Sequence, residues 1–147
     1  MGSKGADDYP GNACSPEEIL RLAEQYKRAA RLAQDLARAG DPITRAPFHL
    51  TAIHAIELYL TAFLRLNGHP PEALRGLMHD LRTRADLAHE KGLILRKKTR
   101  EHLEAMTAQR EYLVTRYGPE MVGTISKSNR LMATLEEVAA KVNQKAA

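Results

Sequence analysis

A single cysteine, Cys14, is all the chain carries, so neither an intrachain disulfide framework nor a cysteine-rich zinc site can form. With no disulfides needed and no apolar signal region at the start, the expectation is a cytoplasmic protein. The most apolar stretch, residues 45–67, is interrupted by His54, Glu57 and Arg65, which excludes a transmembrane helix and with it a membrane partner. A Gly-rich phosphate loop, an HExxH motif and a nucleophile elbow are all missing. The six histidines include no pair at i, i+4 spacing, so no metal and no cofactor is expected. No alternating run bounded by hairpin signals suggests a strand, and there is no internal repeat.

What is present describes one helical domain. A length of 147 residues supports a single core, and 44% hydrophobic with 27% charged residues is ordinary for a globular chain. The opening residues 1–14 are Gly- and Asp-rich and aperiodic, and read as a flexible tail before a domain over residues 15–145. The net charge of +4 is unevenly spread: residues 75–100 hold eight Lys or Arg against three acids. A basic patch for a nucleotide or RNA should come from there.

Residues 45–67, RAPFHLTAIHAIELYLTAFLRLN, form the organising segment. Ile53, Ile56, Leu60, Phe63 and Leu64 recur at helical spacing on one side, while Leu50, Leu58, Tyr59, Ala62 and Leu66 extend the apolar surface round towards the other. A helix apolar over most of its circumference must be covered on several sides. Before it, Ser15-Pro16-Glu17-Glu18 predicts a capped helix start, and the stripe from Ile19 to Ala37 runs to Gly40. After it come a brief turn within residues 72–78, a third helix from Asp80 to Gly92, and a fourth from residues 96–99 to the break at Gly118-Pro119. A fifth is capped at Ser126 or Ser128. The fold class is all-α, an up-and-down bundle of four or five helices.

Glu57 lies one turn from His54 and one from Thr61. Two readings exist: an interior acid satisfied by its neighbours, which ranks first because a lone buried carboxylate is costly, or a polar anchor in a pocket facing the His79-Asp80 turn. Arg96, Lys97, Lys98 and Arg100 are candidate phosphate or RNA contacts, as are Arg82 and Arg84, although solvated helix faces commonly look alike. Arg110, Arg116 and Tyr117 cluster where the fourth helix ends.

The order of a long amphipathic helix, a central helix reading HAIELYLTAFL, a His-Asp-Leu turn, a helix ending YLVTRYGPE and a closing helix resembles the HEPN domain (higher eukaryotes and prokaryotes nucleotide-binding). The resemblance covers about residues 16–142. Glu57 and Ala62 match the central-helix pattern, with Thr61 where Lys is usual. His79-Asp80-Leu81 matches the turn, and Arg116-Tyr117 matches an Arg-Tyr-Pro corner, with Gly118 inserted before Pro119.

One branch of that family comprises metal-independent ribonucleases, often toxins of toxin–antitoxin type, which use an Arg-x(4 to 6)-His pair assembled across a dimer. Three such pairs occur here, against about 1.7 from chance; Arg96 with His102 lies nearest the family's position. The Arg-Tyr ending favours the other, non-catalytic branch. The resemblance therefore implies a homodimer that binds a nucleotide or a partner nucleotidyltransferase. Its ligand-binding residues would be Arg110, Arg116, Tyr117, Glu57 and His79. The alternatives are a ribonuclease with Arg96 and His102 as catalytic residues, or a helical adaptor that only binds protein.

Overall fold

The structure, a computed structural model, describes residues 9–147. Among them every long element is an α-helix and no strand occurs; the chain is an all-α bundle. The first helix, α1 (Pro16–Ala33), starts as its sequence dictates. The Ser15 hydroxyl accepts the Glu18 N–H at 3.1 Å, and the Glu18 carboxylate accepts the Ser15 N–H at 2.9 Å, so two otherwise orphaned donors satisfy each other's residues. It ends earlier than the stripe predicts. A 3-10 turn over Gln34–Leu36 replaces the last helical turn, and Gly40 reverses the chain at φ +81°.

The central helix α2 (Ala46–Leu66) carries eleven buried residues and packs most extensively against α1 and the last helix of the chain. Its pairing with α1 is antiparallel: Arg65 meets Cys14, Tyr59 meets Glu24, and His54 meets Tyr26. The alanines of α1 make this close; Ala23, Ala30 and Ala33 are buried against it. Three of the later helices follow as α3 (Pro71–Arg75), α4 (Leu81–Glu90) and α5 (Lys97–Ala108). Asp80 caps α4, accepting the Thr83 N–H at 2.8 Å and its hydroxyl at 2.7 Å.

The expected fourth helix is in fact two. After α5 the chain bends at Arg110, which sits in the left-handed region at φ 51°, and resumes as α6 (Glu111–Tyr117). The bend turns Glu111 into the interior, where its carboxylate accepts the Ser126 hydroxyl at 2.5 Å and the Ser126 N–H at 3.1 Å. Ser126 is therefore engaged by Glu111 rather than capping the last helix, α7 (Ser128–Ala146), which begins without a side-chain cap. A left-handed Arg costs roughly 1 kcal/mol. Arg110→Gly should then raise the unfolding free energy by up to about 1 kcal/mol, measured by urea denaturation; an unchanged or lower value would mean that the bend carries no strain.

Residues 9–14, assigned to the tail, fold back on the bundle; residues 1–8 lie outside the described residues. Arg65 of α2 donates to the carbonyls of Gly11 and Cys14 at 3.2 and 2.8 Å. Arg75 of α3 donates to the Asn12 side chain at 3.0 Å and lies over the Tyr9 ring at 4.1 Å.

Candidate functional site

One face of α2 is polar in an otherwise apolar helix, and helical spacing makes it so: Thr51, His54, Glu57, Thr61 and Arg65 follow one another at three- and four-residue steps. Three other elements close on that face. From the loop before α4, His79 Nδ1 donates to Glu57 Oε1 at 3.0 Å. The His79 ring stacks on Tyr112 of α6, centroids 4.7 Å apart. From α1, Tyr26 meets the His54 ring edge-on at 4.5 Å. Burial holds the His54 imidazole below its ordinary pKa, Glu57 pulling the other way.

Arg84 was read as a solvated or phosphate-contacting residue, and the structure overturns this. It is 3% exposed, and its guanidinium donates to the Thr61 hydroxyl at 3.1 Å and to the Asp80 and Leu74 carbonyls at 3.2 Å each. Burial depresses its pKa, while the charges of Glu57 and Asp80 oppose that shift. Thr61 of α2 is thus an acceptor for a cation supplied by α4. Arg82, by contrast, is exposed and lies 4.0 Å from the Glu104 carboxylate.

Two clefts flank this polar row and share His54. The first, about 530 Å³, is lined by Tyr26, Leu50, Thr51 and His54 together with Thr115, Arg116 and Tyr117 of α6. Arg116 is exposed and meets no acceptor among the described residues, and Tyr117 presents a ring that is 75% exposed. The second, about 380 Å³, lies under residues 9–14, with Glu57, Leu58, Thr61, Leu74 and Arg84 in its walls. The Glu57 side chain is 15% exposed there; its Oε2 accepts from no described residue.

No known protein family, curated protein or solved structure matches the chain.

Of the other sequence candidates, Arg110 stands exposed at the α5–α6 bend and lines neither cleft. Arg96 is exposed at the N-terminal cap of α5. His102 is 8% exposed, packed on α7 with Nδ1 at 2.7 Å from the Thr134 hydroxyl. Within one chain, then, one of that pair faces solvent and the other the interior. Lys97 and Arg100 meet Glu101 and Asp86 at 3.9 and 3.2 Å, as a solvated face would. Among the described residues no cluster of His, Cys, Asp and Glu is arranged to hold a metal, and no helix is long and apolar enough to cross a membrane.

Tyr26 and Tyr112 were not singled out as site residues, and Arg84 was placed on the wrong face. For Arg84 a signal existed: positions 81, 84, 85 and 88 are one helix face, and three of the four are apolar.

Proposed function

We propose that this protein is a non-catalytic, HEPN-like helical domain of the cytoplasm that acts as a homodimer and binds a nucleotide, the alternative ligand being a partner nucleotidyltransferase. One observation carries the reading. Arg116, a cation without an acceptor among the described residues, shares a cleft with the exposed Tyr117 ring and with His54 and Tyr26. An uncommitted guanidinium offers charge-assisted hydrogen bonds to a phosphate. Aromatic rings beside it offer stacking faces for a base. A cleft of this volume is in the range that small ligands occupy.

The test is calorimetric titration with ATP and GTP. Heat should be detectable at millimolar nucleotide, and Arg116→Ala should weaken binding by about tenfold or more. Affinity should also fall with added salt, since a phosphate contact is screened. No heat at millimolar concentration would remove the nucleotide and leave a protein-binding adaptor. The dimer is tested separately by light scattering.

A further inference from the structure

We propose that Glu57 reads the base of the bound nucleotide and selects guanine. The proposal rests on the nucleotide reading of the Arg116 cleft and deepens it. His54 lines both clefts, so the two adjoin at that residue along one face of α2. Thr51 and Glu57 are six residues apart on that helix, about 9 Å along its axis. A nucleoside monophosphate spans that distance between its phosphate and the edge of its base. With the phosphate on Arg116 and the ring system passing His54, the base edge arrives at Glu57.

What waits there is an acceptor. Glu57 Oε1 is engaged by His79, while Oε2 accepts from no described residue and its side chain stands on the cleft wall. An ionised carboxylate can only accept hydrogen bonds. Guanine presents two adjacent donors, N1–H and the 2-amino group. Adenine and cytosine each place a ring-nitrogen lone pair beside their amino group, and uracil flanks its one N–H with two carbonyls; all three turn lone pairs towards the carboxylate.

A cationic amine would also satisfy an acceptor, but the same cleft is lined by Arg65, Arg75 and Arg84. Those three positive charges repel a cation and leave a neutral base edge unaffected. The apolar walls from Ile19, Leu58 and Leu74 suit the faces of a flat ring.

Titrations of GMP, IMP, AMP and 1-methyl-GMP decide the matter. GMP should bind about tenfold or more tighter than AMP. IMP, lacking the 2-amino group, should fall between, and 1-methyl-GMP, lacking the N1–H, should drop to the AMP level. Glu57→Gln should abolish the preference, and Arg116→Ala should weaken all four ligands by a similar factor. The methylated and deaminated nucleotides probe the native protein, so the result does not depend on a variant that folds. Equal affinity for GMP and AMP, or a preference untouched by N1 methylation, would overturn the guanine proposal and leave nucleotide binding standing. Failure of all four to bind would overturn both.

Discussion

Arg84→Ala should lower the unfolding free energy by about 3 kcal/mol. The side chain is 3% exposed and its three nitrogens each have an acceptor: Thr61, Asp80 and Leu74. Truncation removes three side-chain hydrogen bonds and the buried volume of the guanidinium, leaving the Asp80 and Leu74 carbonyls with only their backbone partners, the N–H groups of Arg84 and Leu77. It also removes the positive charge that stabilises Glu57 across the cleft. Arg84→Lys should recover only part of the loss, because an ammonium is a point charge and cannot span three acceptors arranged for a planar fork.

A double-mutant cycle isolates the charge component. If Arg84 and Glu57 support each other, the cost of Arg84→Ala falls when Glu57 is already Gln, by about 1 kcal/mol at partly exposed geometry. Urea denaturation of the four proteins checks this. Additive losses would show that Arg84 acts through its carbonyl acceptors alone, and a loss below about 1 kcal/mol for the single variant would show that its burial is not structural.

The burial of Arg84 marks where the sequence is legible and where it is not. Local chemistry with a fixed spacing reads well: the Ser15–Glu18 capping box, the Asp80 cap and the glycine stop after Asn67 all lie close to where spacing puts them. So does the centrality of α2, since a helix apolar on most sides has no alternative to being covered. The bend at Arg110 has no such signal. Neither Gly nor Pro stands there, and its partner, Ser126, is fifteen residues from Glu111. Only the tertiary bond reveals why the helix breaks. Residues 9–14 were read as tail for the same reason, their order coming from Arg65 and Arg75, both more than fifty residues distant.

The candidate site divides similarly. Arg116 and Tyr117 were named from a short motif, and the fold adds His54 and Tyr26 from two other helices. The pairing of Glu57 with His79 follows the expected proximity of the turn. Arg84 was misjudged by assigning a charged side chain to solvent when its helical register, 81-84-85-88, puts it on an inner face; the register 99-102-103-106 places His102 on an inner face too.

His102 should make the protein sensitive to acid in a defined window. Burial pushes its pKa down to about 4, with the positive charge of Arg130 and then that of His49 adding to the shift. The group is 8% exposed, so water screens it little. Because the folded-state pKa lies below the ordinary histidine value of 6.5, the unfolded chain binds more protons between the two, and stability rises with pH across that interval. The contribution is complete above about pH 6.5 and lost as the pH falls towards 4, amounting to about 3 kcal/mol.

His54 is depressed as well, so the measurement must be a difference. The stability of the native protein minus that of His102→Gln should be constant above pH 6.5 and shrink steadily below it. Parallel profiles from pH 7 to 4 would mean that His102 does not titrate in this window. The same shift bears on chemistry: an imidazole with a pKa of about 4 is neutral near pH 7 and lacks the imidazolium proton that a general acid gives to a leaving oxygen, whereas general acid–base work favours a pKa near the working pH. If RNA cleavage were nevertheless found, its rate should rise through pH 4 and be flat around 7, a profile that separates His102 from any exposed histidine.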